Sequence, residues 1–320
     1  MILIITLNPL LERRSTYNNV RYGSVNRNPS FELKPGGKGI NVSRQLKLLG
    51  LSSYNLIFTG GNDGKVYRDI LRREGFEFSS VQTESETRFA SIIVEQKAVR
   101  ITSFFSNDPV ITEKECDEFI SRIDKMIKNC EIVVFSGSSP KGAEKIIPAC
   151  IEIANEYDKV SVCDTYGAPL AESINALPTI IHNNFDEIKM SLGLKLTEQS
   201  QIISHLQSIY SKGIKRQYLT DGKKPFFAAN FDYFYKVQPP QVKTIDSTGS
   251  GDSFLAGIIY CWHNNLVFED SLRFAAALGA INAASFNVSN VNPDEARALC
   301  ESVQLDNVGK KIKTIDDSPV

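Results

Sequence analysis

The sequence predicts an α/β protein in which a mostly parallel sheet is flanked by helices and a smaller β-sheet forms a lid. Three observations lead to this fold class. Residues 1–7 are an uninterrupted apolar run, as expected for a strand buried on both faces. Strand-like and helix-like segments then alternate along most of the chain, which is typical of β-α-β units with right-handed crossovers. Two more polar, β-rich stretches, residues 10–36 and 87–106, interrupt that alternation.

These interruptions divide the chain into two expected parts. Residues 1–9, 37–86 and 107–320 form the α/β core that binds nucleotide and substrate. Residues 10–36 and 87–106 form the β lid. Within the second lid segment, two β-rich runs flank a short polar break, which is the pattern of a hairpin.

The other elements follow from apolar periodicity and from cap residues. Gly50 and Gly75 are expected to end two helices, and Thr112 with Glu115 forms a capping box that opens a third. Further strands are expected at residues 54–58, 131–135, 160–164, 179–182 and 216–220, with a hairpin over residues 226–237. Further helices are expected at residues 143–157, 187–192, 197–212, 252–264 and 269–287.

The composition argues against several classes of function. Lys plus Arg number 36 against 37 for Asp plus Glu, and this net charge of −1 argues against broad binding of nucleic acid or of anionic membranes. No apolar run approaches the roughly 20 residues that span a bilayer. The six cysteines are scattered without a C-x-x-C pair, so neither a disulfide scaffold nor a zinc site is expected. Residues 1–7 lack the features of a signal peptide, and a cytoplasmic protein is expected.

The strongest chemical signal is the segment of residues 246–254. Its glycines allow a tight turn directly before a predicted helix, and free backbone N–H groups of residues 249–252 would converge there on an anion. Asp252 in the same turn is suited to take a proton from a hydroxyl that attacks a phosphorus atom. The alternative is an ordinary helix start with an Asp in its first turn.

A second glycine-rich turn spans residues 35–41. Lys38 offers a point charge and Asn41 a neutral donor and acceptor, which suits an anionic or polyhydroxylated ligand. The segment is not a phosphate-binding P-loop, because G-x-x-x-x-G-K-[ST] is absent. Alone, it is more typical of a plain strand-to-helix loop.

Two further segments lie at predicted strand ends. Asn184 and Glu187 form a capping pattern, and Glu187 is also placed to organise Mg²⁺ and its waters. Thr220 and Gly222 lie where open α/β sheets bind ligands, although in isolation they read as a turn. Arg88, at the edge of the lid, is placed to pair with a phosphate or simply to face solvent.

Taken in order, these segments resemble the ribokinase-like carbohydrate kinases, and most closely the phosphofructokinase B family. The resemblance extends over about residues 1–300. Its motifs are T-L-N-P at residues 6–9, G-G-K-G-I-N-V at residues 36–42, T-R at residues 87–88, S-G-S at residues 136–138 followed by Pro140 and Gly142, N-x-x-E at residues 184–187, and G-x-G-D at residues 249–252.

The resemblance implies ATP-dependent phosphorylation of a sugar hydroxyl, with Asp252 as the base. The anion hole would be Gly249, Ser250 and Gly251. Glu187 would hold Mg²⁺ through water. The residues expected to line the ATP site are Asn184, Thr220, Gly222, Thr248, Gly249, Gly251 and Asn282. Those expected to contact the sugar phosphate are Glu12, Gly37, Lys38, Gly39, Asn41, Arg88 and Ser138. Lids of the family often pair, so a homodimer through the lid is also expected.

Lys38 and Arg88 match family positions that hold a phosphate already present on the sugar. Two unpaired cations in one cleft would themselves favour an anion between them, unless each pairs with a carboxylate such as Glu12 or Glu86. The expected activity is that of 1-phosphofructokinase, with tagatose-6-phosphate kinase as the alternative.

Three departures from the family pattern leave a second class of function open. Glu12 stands where the family has Asp, His182 and Asn183 replace Lys-Pro, and Pro225 replaces a glycine of the ATP loop. Such changes would suit a catalytically weak regulator that binds sugar phosphates on the same fold. The retained Asp252 and its turn favour the enzyme, because a protein that only binds has no need of a base there.

Overall fold

The computed structural model describes residues 1–313. The α-helices are α1 (Lys38–Leu48), α2 (Gly61–Arg73), α3 (Glu113–Ile127), α4 (Ile146–Glu156), α5 (Leu170–Asn175), α6 (Phe185–Leu192), α7 (Gln199–Lys212), α8 (Ser250–His263), α9 (Phe268–Ala283) and α10 (Pro293–Leu299). The β-strands are β1 (Ile2–Thr6), β2 (Leu10–Tyr17), β3 (Ser30–Gly36), β4 (Ser53–Gly60), β5 (Glu77–Thr83), β6 (Phe89–Glu95), β7 (Arg100–Phe105), β8 (Ile132–Ser136), β9 (Val160–Asp164), β10 (Ile180–Asn184), β11 (Arg216–Thr220), β12 (Phe226–Ala229), β13 (Tyr233–Gln238) and β14 (Gln304–Lys310).

One large sheet has the order β14-β13-β12-β11-β10-β9-β8-β1-β4-β5. From β5 to β11 neighbouring strands run parallel. The strands β12, β13 and β14 are added antiparallel at one edge. All five residues of β1 are buried, which agrees with the apolar run that opens the sequence. The sheet is therefore mostly parallel, as the sequence predicts.

Helices cover both faces of this sheet. Successive residues of a strand point to opposite faces, so Ile4 belongs to one apolar core and Leu3 to the other. Residues of α1, α8 and α9, among them Val42 and Leu255, pack in the core that contains Ile4. Residues of α3 and α4, such as Phe119, pack in the core that contains Leu3. This two-layered burial explains why the central strands read as continuous apolar runs.

A second sheet of four strands, in the order β3-β2-β6-β7, lies outside the large one. Here β2 pairs parallel with β6, and the other two pairs are antiparallel. Its strands come from the two stretches that interrupt the β-α alternation in the sequence. The side chains of Phe31, Phe104 and Phe105 on this small sheet are exposed. That the sheet acts as a lid stays a prediction.

Some elements differ from the sequence-based expectations. The strands β5 and β14 and the helices α5 and α10 were not predicted, and α2 begins at Gly61 rather than near residue 65. Each unpredicted strand contains several exposed or half-buried polar residues, which weakens the apolar pattern. The six cysteines are free. Within residues 1–313, no helix is long and apolar enough to cross a membrane.

Candidate active site

The candidate site lies at the edge of the large sheet where its parallel strands end. The strand β8 ends at Ser136 and β9 at Asp164. The first turns of α1 and α8 reach the same edge, because Lys38 contacts Asp164 and Asp252 accepts a hydrogen bond from Asn41. Ligands of open α/β sheets bind at this edge, outside the carboxyl ends of the strands.

The turn before α8 depends on a glycine. Gly249 has a φ of 75°, in the left-handed region that favours glycine. A Cβ at this position would lie 2.3 Å from Cγ1 of Val288, so a larger residue is also excluded by contact. The turn brings the backbone N–H groups of Gly251 and Asp252 to the start of α8, where the positive end of the helix dipole adds to them.

The structure corrects part of the prediction about which N–H groups form the anion hole. The N–H groups of Gly249, Gly251 and Asp252 have no acceptor among the described residues. The prediction that the Ser250 N–H is free is wrong, since this group donates to the Ser247 carbonyl at 3.1 Å and closes the turn. Three converging donors remain, and they are the groups able to hold an anion.

Asp252 is 4% exposed. Its Oδ2 accepts a hydrogen bond of 2.8 Å from Nδ2 of Asn41. Burial raises the pKa of Asp252 to about 6, even though the nearby ammonium of Lys38 and the bond from Asn41 favour the charged form. A carboxylate with a pKa near the working pH is a competent general base.

Lys38 lies among carboxylates. Its Nζ is 2.7 Å from Oε1 of Glu187 and 3.3 Å from Oδ1 of Asp164. Burial disfavours the ammonium, but the carboxylates of Asp164, Glu187 and Asp252 outweigh this effect and raise the pKa of Lys38 above its usual range. Lys38 therefore stays charged and joins three acidic side chains into one cluster.

Sequence reasoning did not single out Asp164. This residue ends β9, and its side chain is 1% exposed. Ser136 donates to its Oδ2 at 2.8 Å, and Nδ1 of His182 lies 3.0 Å from its Oδ1. Burial alone would raise the pKa of Asp164, but Lys38 and these two neighbours hold it below its usual value. Its signal in the sequence was an acid at the end of a predicted parallel strand.

His182 connects this cluster to the expected nucleotide side. Its Nε2 lies 3.1 Å from Oγ1 of Thr220. A Cβ on Gly251 would lie 3.5 Å from Cε1 of the His182 ring, so the ring borders the start of α8. Thr220 pairs in register with Asn184 across β10 and β11. Two residues expected at the ATP site thus lie side by side.

Asn184 and Glu187 form the capping box at the start of α6. Oδ1 of Asn184 accepts from the Glu187 N–H at 2.8 Å, and the Asn184 N–H donates to Oε2 of Glu187 at 2.9 Å. The other oxygen of Glu187 accepts from Lys38. The capping interpretation of this motif is therefore confirmed, and Glu187 also belongs to the acidic cluster, whereas its role at Mg²⁺ stays a prediction.

The remaining residues expected at the nucleotide differ in exposure. Gly222 lies in the exposed loop after β11, and Thr248 is exposed in the turn before α8. Asn282 is 1% exposed, and its Nδ2 donates to the Thr248 carbonyl at 2.8 Å and to Oγ of Ser250 at 3.1 Å. The buried Asn282 therefore holds the turn in place.

The start of α1 brings the expected sugar contacts together. Gly37 is the N-cap of this helix. A Cβ at Gly39 would lie 2.1 Å from Oγ1 of Thr6, so glycine allows α1 to begin this close to the end of β1. Glu12 faces the same turn from β2, where its buried carboxylate is 3.1 Å from Nη1 of Arg14. A neighbouring cation thus accompanies the longer side chain at position 12.

Arg88 is the second cation expected to bind the phosphate of the sugar. Its Nη1 is 2.9 Å from Oδ1 of Asp108, and its Nη2 donates to the Asn8 carbonyl at 3.0 Å. Nδ2 of Asn8 in turn donates to Oγ of Ser138 at 3.0 Å. The premise of two unpaired cations is wrong, because Lys38 and Arg88 each have a carboxylate partner, and that partner is neither Glu12 nor Glu86.

Three buried polar atoms around Arg88 lack a partner among residues 1–313. They are Nε of Arg88, Oδ1 of Asn8 and Oγ of Ser139. Unpaired buried polar atoms cost free energy, and they mark places where a ligand or water completes the bonding. Arg88 thus has one unpaired, buried donor in addition to its ion pair with Asp108.

These features define a class of protein: an enzyme that transfers an anionic group to a hydroxyl, with a buried base beside backbone donors at the open edge of a parallel sheet. Residues 3–295 match the pfkB family carbohydrate kinase. The chain belongs to this family and is an ATP-dependent carbohydrate kinase.

Known proteins are similar over nearly the whole chain. The tagatose-6-phosphate kinase of Staphylococcus epidermidis is 29% identical over 312 residues, which cover 95% of this chain and 99% of the relative. The crystal structure of a possible 1-phosphofructokinase from Thermotoga maritima has a TM-score of 0.86 at 23% identity, covering 97% of this chain and 100% of that one. The tetrameric inhibited form of phosphofructokinase-2 from Escherichia coli has a TM-score of 0.84 at 21% identity, covering 94% and 98%. The two structures share the fold.

Proposed function

We propose that the protein transfers the γ-phosphate of ATP to a hydroxyl of a phosphorylated ketohexose, with Asp252 as the general base. The observation that carries the proposal is the position of this buried carboxylate next to the free N–H groups of Gly251 and of Asp252 itself. A base and an anion hole in one turn are what the attack of a hydroxyl on a phosphoryl group requires.

In this proposal Asp252 accepts the proton of the attacking hydroxyl. The N–H groups at the start of α8 stabilise the charge on the transferred phosphoryl group. Lys38 keeps the neighbouring carboxylates compensated, since its ammonium is held by Glu187 and Asp164. Without Lys38, the uncompensated carboxylates of Asp164 and Glu187 would repel the phosphates of the nucleotide.

The nucleotide would bind along the strand ends, near Thr220, Asn184 and the turn before α8. Glu187 fits an indirect contact to Mg²⁺, because its oxygens already accept from Lys38 and from the Asn184 N–H but retain acceptor capacity for water. In the described part of the chain, no three His, Cys, Asp or Glu side chains are arranged so that they could hold a metal ion by themselves. The metal would therefore bind together with the phosphates of the nucleotide. When bound, it would neutralise charge on those phosphates.

The phosphate already on the sugar would bind at Arg88. The guanidinium has an unpaired Nε and donates to the carbonyl of Asn8, whose side chain contacts Ser138. Donors in a partly buried cleft favour an anionic ligand through charge-assisted hydrogen bonds. Asn41 and the glycines at the start of α1 would face the sugar ring, with Glu12 at its other side.

Two ketohexose phosphates are candidates. The family resemblance includes both kinases, and fructose 1-phosphate is the first expectation from the sequence. The similarity to the tagatose-6-phosphate kinase of Staphylococcus epidermidis, which extends over 95% of the chain, supports tagatose 6-phosphate. The two differ in the carbon that carries the phosphate and in the configuration of one hydroxyl, and each hydroxyl contact is worth about 1–3 kcal/mol.

The lid is proposed to pair with the lid of a second copy. Phe104 and Phe105 are adjacent in β7, so they point to opposite faces of the small sheet, and both are 61% exposed. Exposed aromatic residues on both faces of an edge strand are typical of an interaction surface.

The experiment is a coupled ADP-release assay over both ketohexose phosphates and the free sugars, with Arg88→Ala beside wild type. Charge-assisted bonds contribute roughly 1.5–3 kcal/mol each, so KM for the sugar phosphate should rise about 10–100-fold while KM for ATP stays nearly constant. Asp108→Ala is the matched control, because it removes the carboxylate partner of Arg88 and leaves the guanidinium, and it should not raise KM.

Two outcomes would contradict the proposal. Free sugars that outperform their phosphates would exclude Arg88 as a phosphate contact. Absence of turnover on every sugar, with ATP still bound, would favour the regulator over the enzyme.

A further inference from the structure

The side chain of Asn41 lies between two charged groups of opposite sign. Nη1 of Arg44 donates to Oδ1 of Asn41 at 3.0 Å. Nδ2 of Asn41 donates to Oδ2 of Asp252 at 2.8 Å. Asn41 is 6% exposed and Asp252 is 4% exposed, so water has little access to either contact. The carboxamide therefore links Arg44, which lines a cavity together with Glu12, to the carboxylate of Asp252.

The orientation of this carboxamide follows from the chemistry of its neighbours. A guanidinium can only donate hydrogen bonds, so the oxygen of Asn41 must face Arg44. The nitrogen then faces Asp252, which accepts when it is ionised. In the flipped orientation two donors would face each other on one side and two acceptors on the other, and both hydrogen bonds would be lost.

Arg44 is itself held in a fixed position. It follows Asn41 by three residues on α1, so both side chains lie on the same face of the helix. Its Nη2 donates to the Pro35 carbonyl at 2.8 Å and lies 3.6 Å from Oε2 of Glu74. Because both ends of the planar guanidinium are bound, its plane is fixed, and a lysine would not reproduce this fork.

We infer that Arg44 is a positioning residue for phosphoryl transfer: it fixes the carboxamide of Asn41 and thereby orients the carboxylate of Asp252. With Oδ2 held by Asn41, Oδ1 of Asp252 is the oxygen that remains for the hydroxyl of the substrate. This inference rests on the proposed role of Asp252 as the base. It adds a residue that acts on the base through Asn41.

The charge state of Asp252 responds to the same contact. The groups that face it are Lys38 at the start of α1, Asp164 at the end of β9 and Glu187 on α6. His182 on β10 borders the turn through Gly251. Against this background the bond from Asn41 favours the ionised form of Asp252. Loss of the bond should raise the pKa of Asp252 further.

The test is the pH dependence of single-turnover phosphoryl transfer in Arg44→Met. We expect the rate at high pH to fall about 10-fold, because the base is less well oriented. The acid limb of the profile should move to higher pH by about 0.5–1 unit. KM for ATP should stay unchanged. A structural role alone would lower the melting temperature without moving the acid limb.

Lys47→Met is the matched control. Lys47 lies one turn further along α1, and its Nζ is 5.6 Å from the centre of the Phe76 ring, which the Arg44 guanidinium approaches to 5.9 Å. Its Nζ donates to the Glu74 carbonyl at 2.7 Å. The Lys47→Met variant removes a cation from the cavity that Arg44 also lines, without changing a contact of Asn41. Its pH profile should therefore match that of wild type. An equal shift in Lys47→Met would overturn the inference, as would an unshifted Arg44→Met.

If Arg44→Met does not fold, Arg44→Gln replaces it. Glutamine can present either an oxygen or an N–H to Asn41, so it no longer selects one orientation, and the limb should shift in the same direction by less. An unchanged profile in that variant would overturn the inference.

A wild type without turnover would refute the proposed function instead. In that case the melting temperature as a function of pH, compared with and without Asp252→Asn, reports the pKa of Asp252 directly. Arg44→Met should raise that pKa, and an unaltered value would overturn the inference.

Discussion

Replacing Asp252 with Asn should make the protein more stable as it becomes inactive. Asn keeps the size of Asp and can still accept from Nδ2 of Asn41 through its own oxygen. It cannot accept the proton of a substrate hydroxyl. Since general bases contribute typically about 10²–10⁴-fold, kcat should fall at least 100-fold. Binding of ATP should change little.

The gain in stability follows from the cost of burying the charge. Burial raises the pKa of Asp252 from 3.8 to about 6. A rise of about two pKa units corresponds to about 3 kcal/mol of unfolding free energy when the group is ionised. Unfolding entropy is roughly 2.1 cal/mol/K per residue, so for 320 residues the melting temperature should rise by about 4 °C.

The way the gain in stability changes with pH shows whether the buried charge of Asp252 is its cause. The folded protein holds the proton of Asp252 more tightly than the unfolded chain does. The stability that this proton contributes is complete below pH about 4 and is lost as the pH rises through about 6. The difference between Asp252→Asn and wild type should therefore be small only below pH 3.8 and reach its full value above pH 7.

Calorimetry at a series of pH values, combined with kcat, tests this reasoning. A variant that gains the same stability at every pH would owe it to packing rather than to charge. A variant that loses stability above pH 7 would mean that the ionised carboxylate is well compensated in the folded protein. Either result would refute the account of a base made competent by its burial.

Two further predictions concern Lys38 and the lid. Lys38→Met should lower the free energy of unfolding by about 3 kcal/mol, because it leaves the buried Asp164 and Glu187 uncompensated. Denaturant unfolding measures this change, and an effect no larger than that of the exposed control Lys145→Met would contradict the prediction. The double substitution Phe104→Ser and Phe105→Ser should halve the mass measured by light scattering. A wild type that is monomeric at micromolar concentration would exclude pairing of the lids.

Much of the fold could be predicted because its central strands carry strong patterns. β1 is a short apolar run buried on both faces, and the interior residues of β9 and β11 are buried too. The sequence locates all three strands to within two residues. The strand β14 could not be found in this way. It lies at the sheet edge, pairs on one side with β13, and has exposed polar residues such as Asp306 and Asn307. Its pairing arises from its neighbour rather than from its own composition.

The positions of the candidate residues within turns and at strand ends could be predicted from the sequence, but the contacts between them could not. The sequence placed Asp252, Lys38 and Glu187 at turns and strand ends, where they lie. It did not place Lys38 against Asp164, 126 residues away, or against Glu187, 149 residues away. These contacts depend on the strand order, in which β1 lies next to β8 and β9 follows.

That strand order determines the chemistry as well as the contacts. If Lys38 were an unpaired cation waiting for a sugar phosphate, Asp252 would face two uncompensated acids, and its pKa would rise further. With Lys38 held between Asp164 and Glu187, the cluster keeps the pKa of Asp252 at about 6. In the proposed function, anion binding would then fall to Arg88 and to the backbone at the start of α8. The ammonium of Lys38, paired with Asp164 and Glu187, would support the base electrostatically.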